Sequence, residues 1–339
     1  MRVKQKAFNA KKENMLKLDS IQLDMPFIQA SLAGYTDYPM RMLAKRFGCP
    51  LTFTGVMLDK LALHHKALEK TKFRPHDDEH PVGVQILGED PDTMAQAALK
   101  FVEVGYDLID LNFACPVPKV LRRGRGGHLM QQPYLVREAF RRTRRLVKTP
   151  VFMKIRIGYD NTEAAKEDFW TICENAAADG VDMLAIHGRT VQQQYHGNAD
   201  WAAIADVKKR FPSLTVFGSG DIMAPETALQ RLKESGIDGV VIARGAIGNP
   251  WIFNDLRALW NGQPKPPPPS LQEQGRVMLE HFAMLCSEMP ARKAIFSFRK
   301  FAAGYSRRHP ERKKTLLALL QAKTKQAVTD IITDRYALS

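Results

Sequence analysis

Little in this chain invites covalent cross-linking, metal binding or membrane insertion. Its 339 residues include four cysteines. Cys49, Cys115, Cys173 and Cys286 stand far apart, with no CxxC pair and no regular framework. That spacing argues against a disulfide scaffold or a structural zinc site and fits a reducing cytosol, so a cytoplasmic location is expected. His64-His65 and His196 complete no HxH or HExxH pattern, and no metal is expected. No apolar run approaches the roughly 20 residues of a membrane span, so no membrane partner is expected. Met1 to Lys17 is basic but lacks the apolar core of a secretory signal, and residues 1–19 read as a flexible basic leader. No GxGxxG follows the first strand-like run, which weakens the case for a doubly wound dinucleotide fold. Acid is scarce as well: 36 Asp and Glu face 50 Lys and Arg, a net charge of +14. Such an excess favours an acidic partner, and in the cytosol nucleic acid is the commonest.

What is present is an ordinary soluble composition, 45% hydrophobic and 25% charged, with a regular alternation along the chain. Strand-like runs recur at 27–30, 52–56, 82–87, 108–112, 151–157, 183–187, 215–218 and 240–243. Most are almost continuously apolar, as parallel strands covered on both faces are. Helical stretches lie between them: Pro91 opens one that runs to Gly105, Pro133 one that ends near Lys148 and Pro225 one that ends at Gly236, and Gly180 marks a further helix-to-strand turn. Eight such units in about 250 residues predict an α/β fold, a (β/α)₈ TIM barrel over residues 20–261. Residues 262–270 carry four consecutive prolines and read as an extended linker. Residues 271–339 read as a small all-α bundle, with Met278, Phe282, Leu285, Phe298, Phe301, Tyr305, Val328 and Ile332 at helical spacing as its core. This tail holds 13 Lys or Arg against 6 Asp or Glu. The run Arg292, Lys293, Arg299, Lys300, Arg307, Arg308, Arg312, Lys313, Lys314 is interrupted in sign only by Glu311. A solvated helix face usually mixes both signs, so the run reads as a nucleic-acid surface.

A barrel of this kind carries its chemistry at the C-terminal ends of the strands. There the sequence offers Ser31, Gln85, Asn112, Lys154, Arg156, His187 and Arg189, and, just past the fourth strand, Cys115-Pro116. A proline at that point stops the strand and fixes the turn. By itself the cysteine could equally be a small buried residue at a tight turn. Gly218-Ser219-Gly220-Asp221 ends the seventh strand and Ala243-Arg244-Gly245 the eighth. In barrels these two loops often bind phosphate through backbone N–H groups, and Arg244 adds a charged donor. Lys154 and His187 point to the same cavity; beside a flavin, a lysine would stabilise the anionic reduced ring.

Taken together, Ala30-Ser31-Leu32-Ala33-Gly34-Tyr35-Thr36-Asp37, Val84-Gln85-Ile86-Leu87-Gly88, Asp110-Leu111-Asn112-Phe113-Ala114-Cys115-Pro116, Met153-Lys154-Ile155-Arg156-Ile157-Gly158, His187-Gly188-Arg189-Thr190, Gly220-Asp221-Ile222 and Arg244-Gly245-Ala246-Ile247-Gly248-Asn249-Pro250-Trp251 resemble the tRNA dihydrouridine synthase family. The motifs run in the family's order, and the basic tail resembles its tRNA-binding domain. The resemblance implies an FMN-containing barrel that reduces uridine in tRNA to 5,6-dihydrouridine with NADPH. It implies that Ser31, Leu32, Ala33, Gln85, Lys154 and His187 surround the flavin ring and that Ser219, Gly220, Asp221, Ala243 and Arg244 hold its phosphate. Cys115 would then donate the proton to C5 as hydride reaches C6 from flavin N5, and Asn112 and Arg189 would lie near the uracil. Arg299, Lys300, Arg307 and Arg308 are the expected tRNA contacts, and a monomer is expected. Ser31-Leu32 stands where Pro-Met is usual in the family, and Ser219 where Asn is common. Two other readings share parts of this pattern: a dihydropyrimidine or dihydroorotate dehydrogenase-like flavoenzyme acting on a free base, and a catalytically silent RNA-binding barrel.

Overall fold

The computed structural model describes residues 15–64, 66–70 and 73–338. His65 and most of the expected leader, residues 1–14, lie outside them. Residues 15–19, within the expected leader, are described. Leu16–Leu18 (β1) pairs antiparallel with Ile21–Leu23 (β2). Leu18, Ile21 and Leu23 are buried in one cluster with Ile28, Phe53, Leu108, Phe152, Met183, Phe217 and Val241, so the hairpin closes one end of the barrel. Alternation of apolar residues over so short a segment gave little signal, and it is this burial that orders the strand.

The barrel strands are β3 (Phe27–Gln29), β4 (Thr52–Phe53), β6 (Val82–Leu87), β7 (Leu108–Asn112), β8 (Val151–Arg156), β9 (Met183–His187), β10 (Val216–Ser219) and β11 (Gly239–Ile242). A short β5 (Met57–Leu58) pairs with the end of β6. The order is β3-β11-β10-β9-β8-β7-β6-β4, and every pair is parallel. At the seam between β3 and β4 the Gln29 N–H donates to the Leu51 carbonyl at 3.1 Å, which brings the sheet close to full closure. This is the expected TIM barrel, with a helix after each strand unit.

Helix ends follow the predicted punctuation. The Asp90 carboxylate accepts from the Thr93 N–H at 2.8 Å, with Pro91 as the first helical residue of Pro91–Glu103. Gly180 and Gly236 take left-handed conformations, φ 74° and 71°, at the ends of Glu163–Asp179 and Pro225–Ser235.

Along each strand alternate residues face opposite ways. One set, including Val84, Ile86, Ile109, Leu111, Met153, Ile155, Leu184 and Ile186, packs outward with the helices. The other set points inward and changes character along the barrel axis. Leu108, Phe152, Met183, Phe217 and Val241 fill the closed end. Asp110, Asn112, Lys154, Arg156, His187 and Ser219 follow on the same faces toward the open end.

After the irregular, mostly exposed 262–270 segment come four helices, Leu271–Glu288, Ala291–Tyr305, Arg312–Gln321 and Lys325–Arg335. Met278, Phe282, Leu285, Phe298, Phe301, Tyr305, Val328 and Ile332 are all buried. The tail is docked against the barrel rather than merely tethered to it. A Cβ on Gly304 would sit 2.0 Å from the Ile247 carbonyl oxygen, and one on Gly248 (φ +61°) would sit 2.6 Å from that of Phe301. Backbone thus meets backbone between the second tail helix and the loop after β11. Lys300 Nζ donates to the Gly34 carbonyl at 3.1 Å, and Arg308 to Asn249 Oδ1 at 3.2 Å. Gly304→Ala is therefore expected to destabilise the protein by about 1–3 kcal/mol through overpacking. Chemical denaturation should detect the loss, and an unchanged midpoint would mean that the two backbones can separate at no cost.

Candidate active site

The open end of the barrel holds a cavity of about 440 Å³. Ser31, Leu32 and Ala33 line it after β3, Gln85 from β6, Asn112 and Cys115 from β7 and its loop, and Lys154 and Arg156 from β8. His187 comes from β9, Ser219, Gly220 and Asp221 from β10 and its loop, and Ala243 and Arg244 from the loop after β11. Candidates separated by more than 200 residues in the sequence therefore share one wall.

Cys115 is held from several sides. Asn112 Oδ1 accepts the N–H groups of Ala114 and Cys115, each at 3.0 Å. Gly127 N–H donates to the Cys115 carbonyl at 3.0 Å, and a Cβ on Gly126 (φ +57°) would lie 2.9 Å from Cys115 Cβ. Arg156 Nε donates to the Ala114 carbonyl at 2.8 Å. Burial raises the pKa of the Cys115 thiol, against the lowering effects of the Val117 backbone and the Arg156 charge. The thiol is therefore protonated at neutral pH.

Burial acts in the opposite sense on the cations. It pushes Lys154 down to about 8, with Asp110 opposing the shift, and pushes Arg156 down to about 10. Burial, reinforced by Arg156, Lys154, Arg189 and Arg244, holds His187 well below the ordinary imidazole value, so His187 is neutral. Lys154 Nζ lies 3.3 Å from Ser219 Oγ. Ser31 Oγ and His187 Nε2 are buried without a hydrogen-bond partner. Unpaired polar atoms in such a site are costly, and a bound polar group would satisfy them.

Arg189, expected near the uracil, is engaged within the protein. It is buried, does not line the cavity, and donates to both carboxylate oxygens of Asp221 at 2.7 and 2.8 Å. It also donates to the carbonyls of His196 (3.0 Å) and Gly197 (2.6 Å), and so fixes the loop after β9. Although burial opposes it, the Arg189 hydrogen bonds, the Ala199 N–H and the Arg244 charge hold the Asp221 carboxyl below its usual range. Arg244 Nη2 also reaches Asp221, at 3.2 Å. In the tail, Arg299 donates to the Ala322 carbonyl, so Arg299, Lys300 and Arg308 each bond within the protein, while Arg307 and Arg308 are both exposed.

Other lining residues were absent from the sequence-based candidate set. Val117, Tyr195 and Met223 form an exposed apolar rim. The Arg156 and Arg244 guanidinium carbons lie 5.7 and 5.1 Å from the Tyr195 ring centre. Arg156 stood at a strand end and was legible. Tyr195 lies in a loop with no periodic or motif signal. Among the described residues no cluster of three His, Cys, Asp or Glu side chains is placed to hold a metal.

Solved structures share this architecture at low identity. A histamine dehydrogenase from Rhizobium sp. 4-9 aligns with a TM-score of 0.54 at 13% identity, over 82% of this chain and 51% of its own. A 2-naphthoyl-CoA reductase aligns at 0.59 and 13%, over 75% and 52%. This chain spans about half of each, and at that identity the likeness concerns the fold alone. A family model described as dihydrouridine synthase (Dus) matches residues 28–337.

The chain belongs to the dihydrouridine synthase family.

Curated members of similar sequence include a probable tRNA-dihydrouridine synthase of Mycobacterium tuberculosis, 34% identical over 321 residues, 91% of this chain and 82% of that protein. The tRNA-dihydrouridine synthase B of Pasteurella multocida is 34% identical over 290 residues, 86% of each chain. A probable tRNA-dihydrouridine synthase of Rickettsia prowazekii is 35% identical over 271 residues, 79% of this chain and 81% of its own.

For this family member the lowered Lys154 pKa has a measurable consequence. Between about 8 and the ordinary 10.5, the unfolded chain holds a proton at Lys154 that the folded protein has released. Folding stability should therefore rise with pH across that window. Relative to Lys154→Met, the unfolding free energy of cofactor-free protein is expected to gain roughly 1–3 kcal/mol, discounted for cavity water. Parallel denaturation curves from pH 7.5 to 10.5 test this, and a flat difference would refute a depressed lysine.

Proposed function

We propose that this protein reduces a uridine of tRNA to 5,6-dihydrouridine, with FMN in the barrel cavity and NADPH as reductant. The observation that carries the reading is a protonated thiol, Cys115, on the wall of the cavity that Lys154 and neutral His187 also line. Family membership and the curated relatives support tRNA as the substrate.

The cavity's residues suit a flavin. Ser31, Leu32, Ala33, Gln85, Lys154 and His187 would surround the ring, and the unpartnered Ser31 Oγ and His187 Nε2 would find partners there. Ser219, Gly220, Asp221, Ala243 and Arg244 would hold the phosphate end. Asp221 does not oppose this, because its charge is offset by Arg189 and shared with Arg244. Bound FMN, re-reduced by NADPH, would supply a hydride to C6 of the uracil.

The chain's own part is the proton. The C5=C6 bond is conjugated to the C4 carbonyl, so electron density develops at C5 and O4. Cys115 Sγ gives its proton to C5, the C4 carbonyl re-forms, and the thiolate regains a proton from solvent. A raised thiol pKa keeps the donor loaded at neutral pH. Asn112 stands beside it with the second N–H of its amide available to the base. A stacked uracil cannot enter a cavity inside the end of a barrel, so the base must leave the stack. The basic tail supplies phosphate contacts that offset that cost.

Cys115→Ala should leave FMN binding and reduction by NADPH intact and slow reoxidation by tRNA about 10²–10⁴-fold. Cys115→Ser should restore little, since a hydroxyl is a far weaker acid. Stopped-flow flavin absorbance follows both half-reactions, and wild-type reoxidation in both variants would make Cys115 a packing residue. Replacement of tRNA by free uracil should give no turnover; turnover on the free base would favour the dehydrogenase-like reading.

The tail is tested at exposed cations that do not bind the protein's own carbonyls. Reversal of charge at Arg307, Arg312 and Lys313 should weaken tRNA binding and flatten its dependence on log salt by about 0.7–0.9 per lost phosphate contact. NADPH-driven reduction should be unchanged. Equal tRNA affinity across a salt series would remove the tail from the interface.

A further inference from the structure

Asp110 lies on β7 one inward-facing position below Asn112. It is buried and does not line the cavity, so it touches neither substrate nor cofactor directly. Its Oδ2 accepts from Gln85 Nε2 at 2.6 Å, across the register pair Gln85–Asp110 of β6 and β7. Gln85 Oε1 then accepts from Asn112 Nδ2, also at 2.6 Å. Asn112 Oδ1 accepts the backbone N–H groups of Ala114 and Cys115. We infer that Asp110 is a positioning residue of this site, an acceptor that fixes the direction of the amide chain Asp110–Gln85–Asn112 and so aims the backbone of Cys115.

The argument rests on the two faces of an amide. Gln and Asn each present a carbonyl oxygen on one side and an NH₂ on the other, and the two orientations differ little in shape. A carboxylate cannot donate, so it turns the NH₂ of Gln85 toward itself and the Gln85 oxygen toward Asn112. That oxygen in turn draws the Asn112 NH₂, which leaves Asn112 Oδ1 facing the N–H groups of the cysteine turn. The backbone end demands the same polarity, because an N–H can be met only by an acceptor. Every link is satisfied in one direction only, and the three side chains are buried, so the reverse arrangement would leave donor against donor. Burial pushes Asp110 up to about 6, against the Gln85 hydrogen bond and the Lys154 charge; Oδ2 is the acceptor that Gln85 Nε2 meets, and Oδ1 is buried without a partner.

This inference depends on Cys115 as the proton donor only for its kinetic consequence; its structural half stands separately and is tested separately. Asp110→Leu removes the acceptor and strands Gln85 Nε2, whereas Asp110→Asn keeps an oxygen that Gln85 can use. Iodoacetamide alkylation followed peptide by peptide reads the Cys115 environment without turnover, with Cys286, also partly exposed, as internal reference. Asp110→Leu should change the ratio of Cys115 to Cys286 alkylation by at least about fivefold and slow tRNA-driven reoxidation about tenfold or more, with tRNA affinity held. Asp110→Asn should return both to within about threefold of wild type. In a Cys115→Ala background Asp110→Leu should add little further slowing, since its route to the reaction is gone. An unchanged alkylation ratio in Asp110→Leu, or equal slowing in both backgrounds, overturns the proposal, as does Asp110→Asn behaving like Asp110→Leu. Wild-type reoxidation by Cys115→Ala itself would instead overturn the proton-donor role and leave the alkylation result to decide the positioning role. If Asp110→Leu does not fold, Asp110→Ala removes the same acceptor with less bulk and is read the same way.

Discussion

Desolvation at the open end of the barrel is the constraint on which this site depends. A closed parallel barrel has one inward face per strand, and here that face carries hydrocarbon at the sealed end and polar groups at the open one. Removal of water from those groups drives Cys115 and Asp110 toward their protonated forms and Lys154 and His187 toward their neutral forms. One physical cause thus loads a thiol with its proton, keeps an imidazole uncharged and leaves a lysine poised near neutrality. The polar groups tolerate that environment because most are tied to one another, Asp110 to Gln85, Gln85 to Asn112 and Asn112 to the Cys115 turn.

The two basic residue sets divide between structure and surface. Arg156 and Arg189 are buried and donate to carbonyls, Arg189 also to Asp221, which shapes the loops around the cavity. Arg299, Lys300 and Arg308 bind within the tail or between it and the barrel. Exposed cations such as Arg307, Arg312 and Lys313 are the ones left for a polyanion. Because Gly304 and Gly248 bring two backbones together, the tail's basic face is held at a fixed offset from the cavity mouth.

Much of this was legible in the chain. The strands over Val82–Leu87, Leu108–Asn112 and Met183–His187 and the helix Pro225–Ser235 match their expected bounds, because burial on both faces, proline starts and glycine stops are local signals. Gathering the site residues at strand ends was likewise readable, since in a barrel the end of every strand opens on the same cavity. Less legible were partners. Nothing in the spacing of Arg189 distinguishes a substrate contact from an anchor for Asp221, and Tyr195 reaches the rim from a loop without a pattern. The β1–β2 hairpin escaped notice because three-residue strands carry almost no periodicity and are ordered by the barrel floor they cover.

By itself the sequence determined the alternation of strand and helix, the position of the cysteine just past a strand end, the break at the prolines and the surplus of charge in the tail. Each depends on residues close together along the chain, through backbone geometry, hydrophobic period and composition. Tertiary structure alone decided which cations are spent inside the protein, how the amide chain below Cys115 is polarised, and how close the tail approaches the loop after β11. Those outcomes depend on distance and burial between residues as far apart as Gly34 and Lys300, and a one-dimensional pattern carries no information about either.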